Sequence, residues 1–188
     1  MQKRYEIILG IGGLCEFGSI YWEDKNIRLE VGVGFSKTVK TRFQEYAFSP
    51  RIHGEDVIFL DVGKPLKGID NYVRADAHYL PFKNCVFEEI YASHLIEHVD
   101  YPVLFLRECY RVSSLGGKMY RWCPNFLSSN ARADPNHKHS FNYRSLHRLL
   151  RNSGFAPSVH GHGVFLGKIF DKLAALLSTK LEAKGTRL

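Results

Sequence analysis

Apolar positions in this chain follow two rhythms. Short dense runs alternate with stretches in which apolar residues recur every three or four positions, the spacings of strands and of amphipathic helices. The first run, Arg28 to Val31, predicts a strand that ends in the turn Gly32-Val33-Gly34. A helix is predicted from Ser36 to about Phe48, with Val39, Phe43 and Ala47 on one face and Ser49-Pro50 as its stop. Val57 to Leu60 predicts a second strand and Tyr72 to Ala75 a short third. The link between them, Val62 to Asn71, holds two glycines and a proline and makes a poor helix. Phe87 to Ser93 predicts a fourth strand, with helical spacing from Leu95 and again from Pro102 to Val112, stopped by Gly116-Gly117. Lys118 to Cys123 predicts a fifth strand closed by Pro124-Asn125. A polar, histidine-rich loop follows from Leu127 to Ser140, then a basic helix from Tyr143 to Asn152 with Leu146, Leu149 and Leu150 inward. A sixth strand is expected within Ala156 to Phe165, and a final amphipathic helix from Leu166 to Leu181.

Strands alternating with helices predict an α/β fold, a doubly wound, mostly parallel sheet in three layers. At 188 residues the chain has the size of a single domain. The expected organisation is an N-terminal segment, 1–26, packed on a core domain at 27–165, with a C-terminal amphipathic helix and tail at 166–188.

Composition changes this picture little. A formal charge of +7 marks a basic protein suited to anionic partners such as nucleic acid, acidic small molecules or a membrane surface. Cys15, Cys85, Cys109 and Cys123 are widely spaced and form no CxxC pair, which suggests a reduced, cytoplasmic protein. No run reaches the ~18 apolar residues of a membrane span. The stretch Ile7 to Leu14 is broken by glycines and lacks a cleavage signature, so it is read as part of the fold.

The candidate chemistry lies at the strand ends. The first strand ends in Glu30 and a GxG turn, the second in Asp61, the third in Asp76. Glycines at 32 and 34 let a ligand approach bare amides, and the next helix aims its N–H groups at the same spot, which together make a nucleotide-type cofactor pocket. A nicotinamide pocket would want glycine at position 37, where Lys37 stands. A phosphate-binding NTPase loop would want glycines where Ser36 and Val31 stand. His94-Leu95-Ile96-Glu97-His98 fits the H-x-x-E-H pattern of zinc proteases but lacks a suitably placed third ligand downstream, so no metal is expected. His160 and His162 read as solvated loop residues, and Cys123 as a buried thiol.

Taken in order, Glu30 to Ser36, Arg74 to Phe82, Glu89 to Val99, and Arg107 to Val112 with Gly116-Gly117-Lys118 resemble the class I S-adenosylmethionine-dependent methyltransferases, in their small branch with a bare catalytic domain. His137 to Phe141, running on to Gly154-Phe155, is similar to the late loop and helix of that family. The resemblance implies a Rossmann-like sheet and S-adenosylmethionine as cofactor. It also implies that Gly32, Val33 and Gly34 face the methionine moiety with Glu30 near its ammonium. Asp61 and Val62 would then hold the ribose region, Asp76 and Ala77 the adenine, and Ser93 and His94 would face the sulfonium. The usual third glycine of the turn is Ser36 here, and the crossover helix after Asp61 is trimmed.

Methyl transfer to a hydroxyl calls for a base. His94, His137 and His139 are the candidate catalytic residues, with His137 or His139 expected in that role, because imidazole titrates near neutrality and all three are predicted on loops at the carboxyl ends of strands. The Asn/Asp-Pro-Pro-aromatic motif of base-amine methylation is absent, since Ser93-His94-Leu95 stands after the fourth strand. The expected function is methyl transfer to an O or N acceptor on a small molecule, lipid or glycan. RNA is the alternative, given Arg144, His147, Arg148 and Arg151 on the late helix near Lys138, and a non-catalytic binding protein that has kept the fold is a further one. The last helix could also serve a homodimer.

Overall fold

The computed structural model describes residues 3–4, 21–22, 27–32, 56–63, 71–162 and 178–188. Lys3–Arg4 (β1) and Tyr21–Trp22 (β2) pair as a small antiparallel sheet. The main sheet is built from Arg28–Val31 (β3), Val57–Asp61 (β4), Tyr72–Arg74 (β5), Phe87–Ser93 (β6), Ser113–Pro124 (β7), Phe155–His162 (β8) and Lys180–Arg187 (β9). Its order is β5-β4-β3-β6-β7-β9-β8. The pairs among β5, β4, β3, β6 and β7 are parallel, and β9 runs antiparallel to both β7 and β8.

The central strands are apolar because both faces are covered. Leu29, Val31, Val57, Leu60, Phe87 and Ile90 have no measurable exposure, as expected for a parallel sheet buried on two sides. Pro102–Val112 (α1) starts on a proline, whose fixed φ suits the first helical position. It turns Phe105, Leu106, Cys109 and Val112 inward. Tyr143–Asn152 (α3) opens on a capping box in which Asn142 and Ser145 satisfy each other's backbone N–H groups. Gly154 follows its last turn at φ +101°, a conformation that favours glycine, and packs against the Tyr110 ring of α1.

Several predicted boundaries shift. The helix before β7 keeps its predicted end at Val112, with Ser113 Oγ donating to the Cys109 carbonyl at 2.7 Å, while the strand after it starts earlier than expected. Ser113 to Gly117 then belongs to β7 through a register shift opposite Phe87 and Glu89, so Gly116-Gly117 lies in a strand rather than at a helix end. The segment from Leu95 makes a single turn at Ile96 to His98, not a helix. The histidine-rich loop contains a short helix, Ser129–Ala133 (α2), capped by Ser128. The largest correction concerns the end of the chain, where Lys180 and Leu181 open a strand instead of closing a helix, and the expected tail is β9. Leu181 and Ala183 are buried, Gly185 lies against Phe155, and Arg187 donates to the carbonyls of Tyr110, Arg111 and Ser113 while its guanidinium lies 4.7 Å from the Tyr110 ring centroid. The helix expected at Ser36 to Phe48 and most of that expected at Leu166 to Leu181 fall outside the described residues, as does Cys15.

Candidate active site

Strand register gathers the predicted residues along one rim. β3 pairs with β4 on one side and β6 on the other, with Val31 opposite both Leu60 and Ala92. Gly32, Asp61 and Ser93 therefore follow at the carboxyl ends of three adjacent strands. The chain leaves β3 toward β4 and β5 and later returns on its other side to β6 and β7, which creates the crevice where open α/β sheets bind ligands. Gly32 sits at φ +75°, and a Cβ there would come within 2.9 Å of the Leu95 side chain, so the turn requires glycine. Val33 and Gly34 lie outside the described residues.

The two aspartates are held by their own turns. Asp61 Oδ1 accepts the Gly63 N–H at 2.9 Å, and the Tyr72 hydroxyl ties down the Asp61 and Gly63 carbonyls. Val62 leaves its side chain 70% exposed beside them. Asp76 Oδ1 accepts both the backbone N–H of His78 at 2.9 Å and its Nδ1 at 2.6 Å, while the carboxylate stays 56% exposed. His78 Nε2 accepts the Tyr101 N–H, which assigns the proton to Nδ1 and makes His78 a neutral donor to Asp76. Ala77 lies between these two residues. Glu30 is buried in β3 at 3% exposure.

Beyond β6 the rim is built from histidines. His94 adopts φ +53°, uncommon for a residue with a side chain, and its backbone N–H bonds to the Trp122 carbonyl. Its Nδ1 lies 3.1 Å from Oε1 of Glu97, a carboxylate at only 1% exposure, while the ring itself remains partly exposed. His137 has Nδ1 on the Ala131 carbonyl and its ring 4.8 Å from that of His98. His139 lies nearer the surface, its Nε2 3.3 Å from the Asp100 carbonyl. The structure thus sets His94 at the end of β6 along the same rim as Gly32, Asp61, Asp76, Ala77 and Ser93, and sets His137 and His139 on a loop docked on the backbone of Glu97.

The H-x-x-E-H pattern marked Glu97 and His98 in the sequence without a role for them, and Glu97 is the buried hub of this region. One further residue went unrecognised. Arg121 faces inward from β7 between Met119 and Cys123, fully buried, and none of its guanidinium nitrogens has a hydrogen-bond partner. Burial lowers its pKa to about 10, and Glu97 is among the groups whose charge opposes that shift. Burial likewise pushes the Cys123 thiol up to about 12 and Cys109 higher still, which removes both as thiolate nucleophiles. A separate cavity of about 600 Å³ opens at the opposite rim, lined by Arg28, Asp56, Glu88, Glu89 and residues 114–118, far from these groups.

Comparison with known proteins agrees with the resemblance. A methyltransferase-domain family model matches residues 29–120, the span that carries the crevice. In that span and in its fold the chain is similar to the S-adenosylmethionine-dependent methyltransferases. The fold is shared with an S-adenosylmethionine-dependent methyltransferase from Thermotoga maritima named a possible histamine N-methyltransferase, at 19% identity over 88% of this chain and 84% of that one, TM-score 0.60. A second such enzyme, from Archaeoglobus fulgidus, aligns at 17% identity over 86% of each chain, TM-score 0.59. A cyclase also superposes, at 15% identity over 87% of this chain and 75% of that one, TM-score 0.58, so the architecture alone does not fix the reaction. No curated protein matches. S-adenosylmethionine is the cofactor of this methyltransferase, and the crevice presents a turn at Gly32 that admits no Cβ together with the carboxylates of Asp61 and Asp76. Among the described residues no helix is long and apolar enough to cross a membrane.

Proposed function

We propose that this methyltransferase moves the methyl group to an oxygen or nitrogen acceptor on a small molecule, lipid or glycan, with His94 receiving the acceptor proton. The observation that carries the reading is the His94–Glu97 pair. A buried carboxylate oxygen 3.1 Å from Nδ1 fixes the proton there and leaves the Nε2 lone pair for the acceptor. When bound, the cofactor would supply an electrophilic methyl on a positively charged sulfur, which would keep the bonding pair and become neutral as the acceptor takes the methyl. Asp61 and Val62 hold the ribose region, Asp76 and Ala77 the adenine, and Glu30 with Gly32, Val33 and Gly34 the methionine moiety. Ser93 and His94 line the reacting end, and His137 and His139 sit on the loop docked against Glu97.

The exposed Tyr101, Phe126 and Leu127 favour an acceptor with an apolar part. RNA is the second reading, supported by the exposed Arg144, Arg148 and Arg151 on α3. The test is S-adenosylhomocysteine release from the purified chain offered hydroxyl and amine acceptors, apolar-tailed acceptors and total RNA. Release with a small or lipid acceptor supports the proposal, and methylation confined to RNA replaces it with the second reading. Cofactor binding without turnover on any acceptor would point to a non-catalytic binding protein.

A further inference from the structure

We propose that Glu97, His98 and His137 form a binding site for a zinc-class divalent cation. One donor atom from each residue lies within 4.8 Å of the other two. Glu97 Oε2 is buried and has no hydrogen-bond partner, although Oε1 of the same carboxylate is engaged by His94. An unsatisfied buried carboxylate oxygen costs free energy that a cation would recover. Each imidazole is already oriented as a ligand, with His98 Nδ1 3.2 Å from the Asn136 carbonyl and His137 Nδ1 3.1 Å from the Ala131 carbonyl. Those bonds place the proton on Nδ1 and the lone pair on Nε2, the usual way a protein sets the tautomer of a metal-binding histidine.

The two segments are joined before any ion arrives, because the N–H groups of Lys138 and His139 donate to the Glu97 carbonyl at 2.8 and 3.1 Å. Asp134 stands at the edge, its Oδ1 held by the Asn136 N–H and its Oδ2 3.9 Å from His137 Nε2. Two imidazoles and one carboxylate suit zinc and its first-row neighbours, and magnesium poorly. The ion would sit one carboxylate away from His94, since Glu97 offers Oε1 to the imidazole and Oε2 to the cation. Arg121 is the competing counter-ion for Glu97, and the measurements separate the two roles.

The full chain, freed of metal by a chelator, is titrated with Zn²⁺ against a chromophoric chelator and with Co²⁺ followed by visible absorption. One saturable equivalent and a cobalt spectrum of nitrogen and oxygen ligation are expected. His98→Ala and His137→Ala should each weaken zinc binding by more than the about 10–100-fold that loss of an outer partner costs, whereas His147→Ala on α3 should leave it unchanged. Circular dichroism checks the fold of each variant, and the unmodified chain provides the test that no folding defect can obscure. Absence of a saturable equivalent there, or an equivalent that survives in a folded His98→Ala/His137→Ala variant, overturns the proposal and leaves Glu97 to Arg121. S-adenosylhomocysteine binding measured in parallel keeps this outcome distinct from failure of the methyltransferase reading.

Discussion

The two halves of the carboxyl rim are built by different means. On the side of β3, β4 and β5, each ligand group sits where a strand ends, and neighbouring backbone N–H groups of the same turn hold it: Gly63 for Asp61, His78 for Asp76. On the side of β6 and β7, the groups are held across long stretches of chain, with the 134–139 loop fastened onto the turn at Glu97 and His98. The first side is thus held by local turns. The second is held by long-range hydrogen bonds between the 134–139 loop and the turn at Glu97 and His98, and under the proposed function these two sides would serve cofactor and acceptor respectively.

Variants on the two sides should therefore separate affinity from turnover. The largest effect is expected from His94→Asn, which tolerates the positive φ but removes the base. Turnover should fall by about 10²–10⁴ while calorimetry with S-adenosylhomocysteine shows little change, and intact turnover would remove His94 from the proton step. Asp61→Ala should do the reverse, weakening cofactor affinity by about 100-fold through loss of charge-assisted bonds to the ribose with metal stoichiometry unchanged. A loss of both properties in either variant would show that the halves act as one unit.

Smaller effects test the scaffold beneath them. Gly154→Ala brings a Cβ to 2.9 Å from the Tyr110 ring at φ +101°, and should cost about 1–3 kcal/mol. Thermal unfolding should register this as a drop of about 2–4 °C per kcal/mol. The smallest effect concerns the far rim, where bonds from Arg28 hold the Asp56 carboxyl below its ordinary range. A lowered carboxyl pKa contributes stability above the unfolded value, and that stability is lost as pH falls through the folded one. Asp56→Asn should flatten the acid limb of stability below about pH 4, by no more than about 1 kcal/mol because the pair is partly exposed. An unchanged acid limb would assign that limb to other carboxylates.

Elements whose own residues carry a strong pattern were legible in the sequence. Phe87–Ser93, Pro102–Val112 and Tyr143–Asn152 have the predicted bounds, since each joins a clear period to a sharp start or stop. The placement of Gly32, Asp61 and Ser93 at neighbouring strand ends was legible for a related reason, because a residue at a strand end has a position fixed by local chain geometry. Lys180–Arg187 was not: beside Leu181 its inward residues are only Ala183 and Gly185, small and weakly strand-forming, and they become a strand because β7 and β8 flank them. The pairing of His137 with His98, rather than of His98 with His94, depends on where the 134–139 loop docks. Burial of Glu97 and Arg121 is likewise set by tertiary contact, and nothing in their neighbours' periodicity announces it.

The position of β9 has a consequence for assembly during synthesis. β8 joins the sheet through β9 alone, although it is translated before it. Residues 155–162, and the helix packed over them, therefore wait for 180–187 to leave the ribosome and slide between two strands already present. Until then the outer edge of β7 is an open template, and Arg187 cannot close the carbonyl end of α1. The nascent protein is most exposed to mispairing during that interval.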